Sequence, residues 1–155
     1  MWAAAVAANV MSLRPAAATR PALERYRHEW QKLGRAEQDL PFMGVCRHVV
    51  VADGDAEARA AARTAYPLWR ASLSAIWDAR KVAFPVPMPT QWDELEAKGM
   101  AIAGSPQRVA AYVREETAVA GGNFFLCQMM FGDMPLEFAQ QSARLFAFEV
   151  APLLN

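Results

Sequence analysis

His48 is the residue best placed by type to do chemistry. It sits inside the apolar run Met43 to Ala52, and an imidazole there can act as an acid or base near neutral pH. The alternative reading of His48 is a core histidine bonded to a backbone carbonyl. Arg47 precedes it, and side chains in a strand alternate, so the guanidinium points to the opposite face and is expected to reach a carboxylate. Arg14 follows a short apolar stretch directly. A guanidinium at that place can hold a phosphate or an acidic substrate, or simply be solvated. Gln128 is a polar amide in the apolar run Phe124 to Phe131, where it needs hydrogen-bond partners if buried, and it is a candidate to line a pocket. Met130 and Phe131 beside it are expected to pack in the core.

Other groups have plainer readings. Cys46 and Cys127 are far apart, without metal-type spacing, and are expected to be buried reduced thiols. Asp53-Gly54-Asp55 and Gly132-Asp133 open helices, where carboxylates repel a phosphate. Asp55 and Asp133 are therefore expected to cap helices. His28 shares a polar helical face with Glu24 and Lys32 and belongs on the surface. Two histidines do not make a metal site, so no metal is expected.

The elements that position these residues read clearly. Residues 2 to 8 look like the end of a helix, Asn9 to Leu13 like a short strand, and Pro21 to Leu33 like a helix with Leu23, Tyr26, Trp30 and Leu33 on one face. Met43 to Ala52 is a valine-rich strand. The helix after it carries Tyr66, Trp69, Leu73 and Trp77 as an apolar stripe, and Pro67 should kink or divide it. Residues 81 to 103, with Pro85, Pro87 and Pro89, read as an extended loop with one short helix near Trp92 to Ala97. Ser105 and Pro106 start a helix with Val109, Tyr112, Val113 and Ala120 on one face, ended by Gly121 and Gly122. Phe124 to Phe131 then reads as a strand apolar on both sides, the mark of a parallel sheet between layers, and the last helix carries Ala139, Ala143, Phe146 and Val150 up to Pro152. The fold class is α/β.

The wording "IAGSPQRVAAYVREETAVAGGNFFLCQMMFGDMPLEFAQQSARLFAFEVAPLL", with "RYRHEWQKLGR" and "MGVCRHVVVADGDAEARAAARTAYPLW" upstream, resembles the C-terminal portion of the bacterial luciferase-like flavin-dependent monooxygenases. The resemblance implies a partial (β/α)8 TIM barrel holding strands 6 to 8 and their helices, with an insertion at about residues 81–103. A complete barrel of that kind takes about 250 residues. It further implies reduced FMN, or a deazaflavin, as cofactor, oxygen and a small organic molecule as substrates, and a flavin reductase as partner. Under it His48 is the catalytic candidate, and Arg14 and Gln128 are the cofactor-binding candidates. One branch of the family carries an Arg-x-His pair where this chain reads Cys46-Arg47-His48. The histidine is retained and the arginine is displaced by one residue.

The 16 basic and 16 acidic residues cancel, which gives no electrostatic attraction to nucleic acid or an anionic membrane. The N-terminal "MWAAAVAANV" lacks the charged start of a signal peptide, and the expected location is the cytoplasm. A three-strand piece of barrel has open edges and an uncovered apolar face, assigned to Val10, Val50, Phe125 and Met129. It is expected to form a homo-oligomer or to dock on a complementing N-terminal half. Two further readings stand beside the enzyme: a non-catalytic remnant that associates through that face, and a small binding domain with Cys46 and Cys127 as redox partners.

Overall fold

The computed structural model describes residues 2–85 and 88–154, so Val86 and Pro87 of the proline-rich loop lie outside the described residues. The chain divides into two compact units. One holds the residues up to Arg47 together with Ala111–Cys127, and the other holds His48–Ala110 together with the chain from Gln128 onward.

In the first unit a short helix α1 (Trp2–Ala5) leads to strand β1 (Val10–Ser12) and helix α2 (Ala16–Lys32). β1 runs parallel to the start of strand β2 (Met43–Val51), with Val10 opposite Met43 and Ser12 opposite Val45. Leu23, Tyr26 and Trp30 of α2 repeat at helical spacing and bury against Met43, Val45, Ala4 and Ala120. Helix α2 begins five residues before the expected Pro21. Ala16 to Thr19 form its first turn, where the Thr19 hydroxyl donates toward the carbonyls of Pro15 and Arg14 (3.1 and 3.2 Å). The N–H that Pro21 lacks would have bonded Ala17, an exposed residue whose carbonyl is open to water.

Strand β4 (Phe124–Gln128) also pairs with β2. Asn123 sets its start: the side-chain carbonyl accepts from the Met43 N–H (2.8 Å), and the Asn123 N–H donates to the Met43 carbonyl (2.9 Å). Gly44 has no alternative here, because a Cβ would collide with the Phe124 carbonyl. The strand is shorter than the expected Phe124 to Phe131 and is not covered on both sides. Phe125 packs on the first core and Phe124 stacks on Phe42 (4.7 Å), whereas Leu126 is 43% exposed.

In the second unit the end of β2 runs parallel to β3 (Ala101–Gly104), with His48 opposite Ala101 and Val51 opposite Gly104. β3 was hidden in a segment read as loop, because the four residues Ala101 to Gly104, with Ile102 the only large one, carry too short a pattern to register. Helix α3 (Asp55–Ala79) runs unbroken for 25 residues through Pro67. The carbonyl that Pro67 leaves free belongs to Arg63, again an exposed residue. The buried side of α3 is Ala58, Ala62, Ala65, Tyr66, Arg70 and Ser74; of the expected stripe Tyr66 is buried and Trp69 packs partly buried on the same core, whereas Leu73 is exposed. Polar Arg70 is tolerated because it donates to the Met88 carbonyl (3.3 Å) and lies over the Phe84 ring (4.3 Å). Val50, assigned to the open face, is fully buried against this helix.

Helix α4 (Trp92–Ala97) matches the expected short helix, and α5 (Pro106–Ala120) follows β3. Helix α6 (Leu136–Leu145) continues as a π turn (Phe146–Val150) and a 3-10 turn (Ala151–Leu154), so Pro152 does not stop it. Its buried side holds Ser142 instead of Ala143, because the Ser142 hydroxyl accepts the Val51 N–H (2.8 Å) at the end of β2. Among the described residues no helix is long and apolar enough to cross a membrane.

Candidate functional site

His48 stands at the centre of an aromatic box in the second unit. Its ring meets Trp69 (4.3 Å), Phe131 (4.8 Å) and Tyr66 (5.4 Å), each edge-on, and Trp92 stacks on Phe131 (5.9 Å). β2 supplies the histidine, α3 the Tyr66 and Trp69 pair one turn apart, α4 the Trp92, and the segment after β4 the Phe131. Gly132 permits that last placement: its φ is +62°, and a Cβ would run into the Ala65 carbonyl.

The box is dry. His48 is 3% exposed, its Nε2 has no hydrogen-bond partner among the described residues, and burial lowers its pKa to about 4. The ring is therefore neutral at physiological pH. It carries one N–H and one lone pair, so it can donate one hydrogen bond and accept another, but it lacks the second proton that would make it an imidazolium acid. The Nε1 of Trp92 is also buried without a partner among the described residues. Tyr66 is committed elsewhere: its hydroxyl donates to the Pro89 carbonyl (2.7 Å), and burial pushes its pKa up to about 12. The orphaned Nε2 departs from the plain alternative of a histidine satisfied by a backbone carbonyl.

Gln128 belongs to the same unit and is half-buried at the end of β4. Met130, expected in the core, is 58% exposed. Of the four rings around His48, Tyr66 and Trp69 read in the sequence only as a helix stripe, and Trp92 only as the start of a short helix. The spacing of Tyr66 and Trp69 was the available signal, but nothing in it pointed to the histidine.

Arg14 lies in the first unit, where its backbone is held on both sides. Its N–H donates to the Ser12 Oγ (3.1 Å), and its carbonyl accepts from Arg47 Nη2 (3.0 Å). The side chain is exposed. Arg47 pairs with a carboxylate as expected, but inside the protein. It is 0% exposed, and its Nη2 and Nε lie 2.6 and 2.8 Å from Glu116 Oε2. Its remaining donors reach the carbonyls of Cys46 (2.9 Å) and Ser12 (3.4 Å). Burial raises the Glu116 pKa against the pull of Arg47.

The two aspartates do not cap helices. Gly54 and Pro135 occupy the cap positions of α3 and α6, with no side-chain bond at either. Asp55 instead accepts the Ser105 N–H (2.7 Å), which joins the starts of α3 and α5, and this bond holds its carboxyl below the usual range. Asp133 is exposed, and His28 is on the surface as expected. Cys46 and Cys127 are free and half-buried. Burial raises both thiols, Cys127 to about 12, so neither is a thiolate at neutral pH. Among the described residues no group of three or more His, Cys, Asp or Glu is arranged to hold a metal ion.

No family model matches the sequence. The uncharacterized protein y4wF of Sinorhizobium fredii (strain NBRC 101917 / NGR234) is 27% identical over 149 residues, which is 96% of this chain and 44% of that protein. Among solved structures, the monooxygenase RslO1 from Streptomyces bottropensis superposes with a TM-score of 0.77 at 22% identity, over 97% of this chain and 43% of its own. The oxygenating constituent of 3,6-diketocamphane monooxygenase from Pseudomonas putida, a type II Baeyer-Villiger monooxygenase in complex with FMN, gives 0.71 at 20% identity, over 97% and 44%. The chain thus spans less than half the length of the proteins it matches. What these likenesses establish is the fold: along almost its whole length this chain shares the α/β fold of just under half of each of these two monooxygenase structures, as a partial (β/α)8 barrel does.

Proposed function

We propose that this chain supplies part of the active site of a luciferase-like flavin-dependent monooxygenase, which oxidises a small organic substrate with oxygen and reduced FMN or a deazaflavin. The observation that carries this reading is a buried, neutral, unpartnered imidazole at the end of β2, within a fold shared along almost the whole chain with monooxygenases. The residues fit a flavin in one specific respect: an orphaned Nε2 in a wall of aromatic rings is a hydrogen-bonding group awaiting a partner in a water-poor setting. When bound, the reduced flavin supplies the electrons that activate oxygen.

The chain's own residues do the rest. His48 offers one hydrogen bond from a neutral ring, Tyr66, Trp69 and Phe131 keep water from it, and Gln128 and Arg14 are the proposed contacts to the cofactor. A separate flavin reductase provides the reduced form. The free thiols are consistent with a reducing compartment, the cytoplasm. Titrating the protein with FMN while following visible absorbance, and then adding NADH and a reductase, tests this. Saturable binding with substrate-dependent NADH oxidation supports it, and an unperturbed flavin spectrum refutes it.

A second reading, association without catalysis, is favoured by the exposure of apolar side chains on the strands flanking β2 in the first unit. Met11 of β1 is 38% exposed and Leu126 of β4 is 43% exposed. This predicts a homo-oligomer or a complex with a complementing N-terminal half. Sedimentation of dilute protein separates the two, since the remnant is a tight dimer that ignores FMN.

A further inference from the structure

The arginines of this chain are largely neutralised from within. Arg20, Arg27, Arg47, Arg59, Arg63 and Arg108 each pair with a carboxylate, and Arg35 and Arg70 lie over aromatic rings and donate to backbone carbonyls. Arg14 and Arg25 are different. Both are exposed and, like Arg80 and Arg144, form no ion pair among the described residues; what sets them apart is that both line one open cleft of about 480 Å³ in the first unit. Between them the cleft is lined by Ala18, Pro21 and Ala22, three small residues at i, i+3 and i+4 on α2, and no carboxylate contributes.

The lip of the cleft is fixed. The Arg14 backbone is held at its N–H by Ser12 and at its carbonyl by Arg47 and Thr19, and Arg47 is itself anchored in the buried pair with Glu116. Arg14 therefore projects from a rigid point, and Arg25 projects from a helix whose other side is core. Two guanidiniums over a small-residue floor, with no carboxylate in the lining, supply the positive charge and the forked N–H donors that a phosphate group takes.

We propose that the cleft between Arg14 and Arg25 binds a phosphate group carrying two negative charges. The group belongs either to the tail of FMN or to a separate phosphoester. The phosphate site itself stands without the flavin reading, and only its assignment to the FMN tail rests on that reading.

Amide NMR of the full chain titrated with inorganic phosphate reads this directly. Saturable shifts confined to residues around Arg14, Ala18, Ala22 and Arg25 are expected, with affinity about tenfold weaker in Arg14→Gln and in Arg25→Gln, and lost in the double variant. Arg80→Gln, an exposed arginine outside the cleft, should leave binding unchanged. No saturable shift, or shifts that persist in the double variant, overturns the site. Displacement of phosphate by FMN but not by riboflavin assigns the site to the flavin tail. Phosphate binding that FMN leaves intact keeps the site and assigns it to another phosphoester.

Discussion

Replacing His48 with leucine removes the imidazole from the aromatic box, where Tyr66 titrates far above neutral pH, while roughly conserving its volume, so its effect on stability in acid should depend on pH in a way fixed by burial. The folded-state pKa of about 4 lies below the ordinary value of 6.5. Between these values the unfolded chain binds the proton and the folded chain does not. The stability is therefore fully present above the unfolded pKa and is lost as pH falls toward the folded one. For a shift of this size the loss attributable to His48 is about 2 kcal/mol on going from pH 7 to pH 5, approaching about 3 kcal/mol by pH 4. Carboxylates and His28 titrate in both proteins and cancel in the difference. At neutral pH His48→Leu should be as stable as the parent or slightly more so, because an orphaned buried nitrogen disappears. Urea unfolding followed by tryptophan fluorescence, run for both proteins across this range, measures the gap. Parallel curves, with no widening toward acid, would refute the burial argument and the neutral ring on which the proposed chemistry depends.

Other substitutions test the scaffold. Glu116→Ala leaves the fully buried Arg47 without its counter-ion and should lose about 3–5 kcal/mol in denaturant unfolding, a larger loss than Arg63→Ala causes at the exposed pair with Asp93. Ser142→Ala strands the Val51 N–H and should lose about 1–3 kcal/mol, recovered in part by Ser142→Thr if the hydroxyl alone matters. Gly44→Ala drives a methyl into the Phe124 carbonyl, and hydrogen exchange should quicken along β4 before it does along β3. Asp55→Asn removes a carboxylate that stabilises the fold above its ordinary pKa and loses that effect as pH falls through its lowered one, so the variant and the parent should converge in acid.

The sequence was most legible where a single periodicity controls a segment. β2 buries nearly every residue because it is valine-rich throughout, and α2 presents Leu23, Tyr26 and Trp30 inward as their spacing requires. It was least legible where a polar group answers a distant backbone atom. Ser142 displaces Ala143 from the buried side of α6 to meet Val51, and Asp55 leaves its own helix end to meet Ser105, partners 91 and 50 residues away. β3 escaped because Ala101 to Gly104 is too short and too plain to show a period. His48 was visible as a candidate from its apolar surroundings alone. The rings of the box come from α3, α4 and the segment after β4, a convergence that only the fold supplies.

The measurement closest to the central claim is NMR of the His48 imidazole and the Trp92 indole N–H while FMN is added. Progressive, saturable movement of both, with His28 unmoved, is the predicted result. Flavin binding that leaves His48 and Trp92 where they were, or no response at any FMN concentration, would contradict the placement of the cofactor against this histidine.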